Sequence, residues 1–232
     1  MKKYKLSRGV FIAVEGVDGA GKTTQVMRLK EHFYRKGIPV STFKEPTDGR
    51  YGQMIRQIGL IGRHLYTPNE ELDLFLSDRK EDLEKNIIPA IQRKELVIID
   101  RYYFSNIAYQ GALGVDKEHI LIENEKIALK PDLVIILNCA VRVGLSRIRN
   151  SRNETPNHFE KEEYLEDVKK IFLSMSGPAI QIIDSTPDED TVFNHVKNIV
   201  QDVIAPFTYP IEEQTDLFAV DPADQQVTFS KN

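Results

Sequence analysis

EGVDGAGKTTQ, residues 15–25, opens on the last residue of the apolar run VFIAVE (10–15) and leads into a helical pattern. Within it Gly16, Gly21, Lys22 and Thr23 satisfy G-x-x-x-x-G-K-[ST], in the strand-to-helix setting that the pattern requires. Such glycines let backbone N–H groups approach phosphate oxygens, and the helix start adds partial positive charge. Lys22 would reach the outer phosphates of a nucleotide and the Thr23 hydroxyl can ligate magnesium. The turn carries one basic side chain, Lys22. Phosphoryl transfer needs more positive charge than that, so the rest of the chain has to supply both the charge and an acceptor.

Working outward, β-rich runs alternate with helical patterns: VSTF (40–43), LVIID (96–100), DLVIIL (132–137) and IQIID (180–184) follow the first strand. Near-continuously apolar strands are covered on both faces, as in a parallel sheet flanked by helices, so the fold class is α/β. Val26, Leu29 and Phe33 recur at helical spacing, and Gly37 stands where a C-cap releases the chain. Pro68 and Asn69 open a long helical pattern in which Leu72, Phe75, Leu76, Arg79, Leu83 and Ile87 share a face until Pro89 breaks or kinks it. After the fourth long strand comes a charged stretch, RIRNSRNETPNHFEKEEYLEDVKK, with a polar break at NETPNH; it reads as a flap. From about Ala205 the periodicity fades and prolines appear, so 205–232 reads as an appendage on a domain spanning 1–204.

Composition narrows the classes. A chain of 232 residues with 41% hydrophobic and 28% charged residues suits one globular domain. A net charge of −4 argues against a nucleic-acid groove or an anionic membrane surface as the main partner. No stretch approaches a membrane span. The lone Cys139 falls in an apolar run and reads as a buried small hydrophobe, which suits a reducing cytoplasm.

Asp100 ends LVIID at the carboxyl edge of a strand, where α/β sheets place ligands, and could hold magnesium directly or through water. Arg101 follows at the same edge. Asn106 shares a helix face with Tyr109 and Gln110, three and four positions on. Phe75 and Arg79 are i and i+4. They read either as an aromatic plate and a guanidinium offered to a planar base, or as a core aromatic beside an arginine reaching a carboxylate such as Asp82; the pair alone favours the second. KEPTDGRYGQMIR adds a Glu45–Pro46 turn and then Arg56, available to an acceptor phosphate.

Assembled in this order and spacing, FIAVEGVDGAGKTTQ, EP, LDLFLSDR, DRYYFSNIAYQG and FEKEEYLEDV resemble the thymidylate kinase (dTMP kinase) family over roughly residues 10–203. The resemblance implies a P-loop NTPase three-layer sandwich: a five-stranded parallel sheet, helices on both faces, and a lid at about 142–163. It implies magnesium-dependent transfer of the γ-phosphoryl group of ATP to dTMP by a cytoplasmic homodimer, with neither nucleic acid nor membrane as partner. ATP would be held by Gly16, Val17, Asp18, Gly19, Ala20, Gly21, Lys22, Thr23 and Thr24, and the metal by Thr23 and Asp100. The acceptor set would be Glu45, Pro46, Arg56, Phe75, Arg79, Arg101, Ser105, Asn106, Tyr109, Gln110 and Glu160. On that likeness Phe75 stacks on thymine, Arg79 binds its ring carbonyl, and Asn106 contacts the base edge. Arg101 and Arg56 hold the monophosphate, Tyr109 crowds the 2′ position, Asp18 sits beside sugar and metal, and Glu160 approaches the sugar hydroxyl.

Family members are similar in taking an arginine either from the phosphate loop or from the lid. Gly19 and Ala20 occupy the variable loop positions, so the resemblance assigns the missing charge to Arg147, Arg149 and Arg152. Lys22, Asp18 and these arginines form the expected catalytic set. In the lid, NHFE replaces the family's frequent D-R-F-E, so no role transfers to Asn157 or His158. EPTDG likewise replaces E-P-G-G-T around Pro46.

Overall fold

The computed structural model describes residues 3–62, 65–152 and 162–211, the side chains of 150–152 excepted. Five strands form one parallel sheet: β2 (Val10–Gly16), β3 (Val40–Lys44), β4 (Leu96–Asp100), β5 (Leu133–Asn138) and β6 (Ile180–Asp184), in the order β3-β4-β2-β5-β6. Every residue of β2 and β4 is buried, and all of β5 but its last, whereas the edge strands β3 and β6 are partly exposed. That gradient is why the three central strands read as uninterrupted apolar runs. Strand order reverses at β2, so the loop after β2 opens into the crevice at the carboxyl edge, where such sheets bind ligands.

Two helical layers cover the sheet. On one side α1 (Lys22–Arg35) packs on β3 and β4 and against α9 (Glu189–Ile204), which packs on β5 and β6. On the other, α5 (Tyr103–Gly111) packs on β2 and against α8 (Glu162–Ser174), which packs on β5. Gly37 takes the positive φ expected just past α1. Its N–H bonds Tyr34 O at 2.8 Å. The core joins both layers through the central strands.

The long pattern from Pro68 forms α3 (Pro68–Asp82), opened by a capping box in which Thr67 and Glu70 bond each other. Beyond it the chain does not stop at Pro89. Residues Leu83–Ile87 form a π turn and α4 (Ile88–Gln92) continues. Pro89 has no N–H for the Lys85 carbonyl, and the wider turn absorbs that mismatch without ending the helix. Outside these layers α2 (Arg50–Ile61) packs on α3, α6 (Lys117–Glu125) on α5 and α3, and α7 (Val141–Arg152) on α8.

Outside the main sheet, β1 (Tyr4–Leu6) pairs antiparallel with β7 (Thr208–Pro210). The strand β7 lies within the segment read from sequence as an appendage, so that segment begins with backbone docked on the first residues of the chain. Residues 212–232 of the appendage and residues 153–161, which hold the polar break NETPNH (153–158) and with it Asn157 and His158, and also Glu160, lie outside the described residues, as does the side chain of Arg152.

Candidate active site

Two cavities meet at the carboxyl edge of the sheet. The phosphate loop and Asp100 border one of about 490 Å³, together with Arg147 from α7 and Ser185 and Pro187 from the turn after β6. From the expected ATP set, Asp18, Gly19, Ala20, Gly21, Lys22, Thr23 and Thr24 line it; Gly16 and Val17 sit behind. Their carbonyls accept bonds from Lys22 Nζ at 2.9 and 2.8 Å. Burial, with Arg101 nearby, pulls the Lys22 ammonium down to about 8 against the counter-pull of Asp18, Asp100 and Glu15.

Gly19 has φ +77°, and an added Cβ would stand 2.1 Å from Gly144 O. A larger side chain there would be strained and would strike α7. The loop therefore has no room for an arginine at that position, and α7 instead brings Arg147 to the cavity. Its Nη2 donates to Ser185 O at 3.1 Å. Arg149 is exposed and outside both cavities.

Thr23 Oγ1 donates to Asp100 Oδ2, while Asp100 Oδ1 is buried with no hydrogen-bond partner. One carboxylate and one hydroxyl at a phosphate cradle fit Mg²⁺, which favours oxygen ligands and completes its shell with substrate phosphates and water. Among the described residues no cluster of three or more His, Cys, Asp or Glu could hold a metal by itself.

The second cavity, of about 910 Å³, is lined by every described residue of the expected acceptor set: Glu45, Pro46, Arg56, Phe75, Arg79, Arg101, Ser105, Asn106, Tyr109 and Gln110. The Glu45–Pro46 peptide bond is cis. Arg79 is 1% exposed. Its Nη1 donates to Asn106 Oδ1 at 2.6 Å and also to Asn124 Oδ1 on α6, and its Nη2 pairs with Glu45 Oε2. The carboxylate that neutralises it is thus Glu45, and Asp82 bonds Asn86 instead. Phe75 is half-buried on the cavity wall and absent from the core cluster, which corrects the core reading that its spacing alone favours. Helix spacing could not reveal this, because the partners of Arg79 come from the turn after β3, from α5 and from α6, 27 to 45 positions away. Burial pushes the Glu45 carboxyl up, against Arg79. Arg56 reaches Pro46 O at 3.0 Å and Asp48 at 3.1 Å with its side chain half exposed.

Asp18, Lys44 and Arg101 line both cavities. Arg101 takes φ +71°, a left-handed conformation that costs about 1–2 kcal/mol outside glycine. It pairs with Asp18 Oδ1, and Tyr109 OH donates to Asp18 Oδ2 at 2.9 Å. Burial works against the Asp18 carboxylate, but Arg101 and Lys22 outweigh it and hold the group below its usual range. Beneath this seam, Glu15 accepts from Tyr102 N at 2.8 Å and Ser105 Oγ at 2.6 Å, tying the root of the phosphate loop to the start of α5. Burial raises its carboxyl to about 7.

Sequence reading missed four participants: Glu15, Lys44, Asn124 and Asp78. Asp78 accepts from Thr47 N at 2.8 Å and Thr47 Oγ1 at 2.6 Å, fixing the turn after Pro46. Glu15 closing an apolar strand was the one local signal of a buried acid; the others depend on contacts between distant segments.

The family model described as thymidylate kinase matches residues 14–196. A thymidylate kinase of Desulfotalea psychrophila is 48% identical over 184 residues, 79% of this chain and 90% of that protein. A probable thymidylate kinase of Archaeoglobus fulgidus is 42% identical over 192 residues, 83% of this chain and 95% of its own. A thymidylate kinase of Xylella fastidiosa is 40% identical over 196 residues, covering 84% and 88%.

Proposed function

This chain belongs to the thymidylate kinase family, and from that premise we propose that it transfers the γ-phosphoryl group of ATP to dTMP. It is a nucleoside monophosphate kinase, a phosphotransferase. An oxygen of the acceptor phosphate attacks the γ-phosphorus. A new O–P bond forms, the bond from γ-phosphorus to the β-bridging oxygen breaks, and its electron pair leaves on ADP, giving dTDP. The acceptor phosphate is already anionic, so the residues position and neutralise charge without needing a strong base.

The observation that carries this reading is the convergence of all ten described acceptor candidates on one cavity that adjoins the phosphate cradle. Thymine stacks on Phe75. Arg79 uses three of its N–H donors on protein partners and so keeps a fixed orientation, with the remaining donors for a ring carbonyl. Asn106 faces the base edge, Tyr109 the deoxyribose, and Arg101 with Arg56 the 5′-phosphate. Glu160 is assigned to the sugar hydroxyl. In the donor cavity the phosphate loop holds ATP, Thr23 and Asp100 hold Mg²⁺, and Lys22 reaches the outer phosphates. Magnesium, held by Thr23 and Asp100, would supply charge neutralisation for the ATP phosphates. Arg147, Arg149 and Arg152 bring further positive charge from the lid.

The family resemblance supports a homodimer, and Leu60, Ile61 and Leu65 are exposed apolar side chains. Among the described residues no helix is long and apolar enough to cross a membrane. The single cysteine, buried and unpaired, supports a cytoplasmic site of action. A coupled assay of ADP formation across dTMP, UMP, CMP and AMP tests the proposal. Preference for dTMP is expected; preference for another monophosphate, or ATP hydrolysis indifferent to any of them, overturns it.

A further inference from the structure

Positive charge at the join of the two cavities is scarcer than the count of basic residues suggests. Lys22 is folded onto the carbonyls of its own loop. Arg101 is paired with Asp18, Arg56 with Pro46 O and Asp48, and Arg147 with Ser185 O. Lys44 differs from all of these. It ends β3 directly before the cis Glu45–Pro46 bond, in register with Asp100 on β4, and it lines both cavities. Its Nζ stands 4.0 Å from Asp100 Oδ2, beyond hydrogen-bond distance, on a side chain 59% exposed. Among the described residues it has no hydrogen bond to its ammonium.

We propose that Lys44 is a catalytic residue: its ammonium contacts the phosphoryl group in flight, bridging the oxygens of donor and acceptor phosphates across the seam. The proposal rests on the kinase reading given above. The geometry supports it in two ways. A strand end fixes the Cα at the sheet edge, while the four-carbon stem lets the ammonium follow charge that moves from one cavity to the other. Its neighbour Asp100 is the assigned magnesium ligand, and a second cation beside a metal is driven toward the phosphate oxygens. Lys44 transfers no proton; it contributes charge where charge accumulates during transfer, an interaction realised mainly in the transition state. A lysine at the exposed end of an edge strand is otherwise a solvated residue, whose removal changes neither rate nor ligand affinity.

The test uses the full chain with Lys44→Met, which keeps the stem and removes the charge, and Lys44→Arg, which keeps the charge. Lys44→Met is expected to lower kcat by about tenfold to a hundredfold while the calorimetric affinity for dTMP changes by less than about threefold. Lys44→Arg should restore most of the rate. A linked ligand, adenosine and thymidine joined through five phosphates, spans the seam and should bind Lys44→Met at least about tenfold more weakly. Unchanged kcat and unchanged linked-ligand affinity overturn the assignment. So does recovery of the Lys44→Met rate at raised Mg²⁺, which would reduce Lys44 to a partner of Asp100. If wild-type protein makes no dTDP, the kinase reading falls and this proposal with it; a fully active Lys44→Met beside an active wild type removes the Lys44 assignment alone.

Discussion

The donor cradle is made by consecutive backbone, residues 16–24, running from the end of β2 into α1, whereas the acceptor cavity takes Glu45 from the turn after β3, Arg79 from α3 and Asn106 from α5, with Asn124 of α6 bonding Arg79. In the first, glycine conformation and N–H direction do the holding, and few side chains are committed. In the second, buried side chains hold one another, so the groups that would recognise a base also carry part of the fold's stability. Damage to the cradle should therefore cost rate alone, and damage to the cavity wall should cost rate and stability together.

The sharpest break between the two is Lys22→Ala. Turnover should fall about a thousandfold or more, while calorimetric dTMP binding and the unfolding midpoint stay near wild type. Substantial retained activity would contradict the donor assignment. Glu45→Ala breaks the other side: it leaves the Arg79 charge buried beside two amides, which should cost about 3–5 kcal/mol in denaturant unfolding and weaken dTMP binding as well. Equal stability of variant and wild type would mean that Arg79 finds another counterion.

Glu15 lies under both regions, and its titration sharpens the comparison at their seam. Burial lifts its carboxyl from 4.5 to about 7. At low pH the group is protonated in both states; as pH rises through that window the unfolded chain releases the proton first. Wild-type stability should thus decline between about pH 4.5 and 7 relative to Glu15→Gln, by on the order of 3 kcal/mol, and stay level above. Urea unfolding of both proteins across that range checks it, and a constant difference would refute it.

Smaller effects are expected where a single contact is lost. Phe75→Ala should weaken dTMP binding by about 1–3 kcal/mol with little change in unfolding, because Phe75 stands outside the core cluster. Arg149→Ala should lower kcat about tenfold, more than it raises the acceptor KM, the mark of a contact made in the transition state. Unchanged kcat would return Arg149 to the solvated surface on which it is found.

The same contrast governs what the sequence discloses. The phosphate loop is legible because its parts are contiguous and their spacing is chemical. The three central strands of the sheet are legible because burial on both faces leaves uninterrupted apolar runs, while the partly exposed edge strands show only short β-rich runs. Arg79 is a different case: its apolar helix face signalled a missing partner, but Glu45 and Asn124 become neighbours only once β3, α3 and α6 are packed. The short pairing of β1 with β7 joins the two ends of the described chain, and three-residue strands carry too little pattern to be found. Resemblance supplied the proposed acceptor residues, which spacing merely permitted.

Incubating the protein with dTMP and ATP labelled at the γ-phosphate tests the central claim most directly. The account requires label to appear in dTDP in step with ADP; label accumulating as inorganic phosphate at a rate indifferent to dTMP would contradict it.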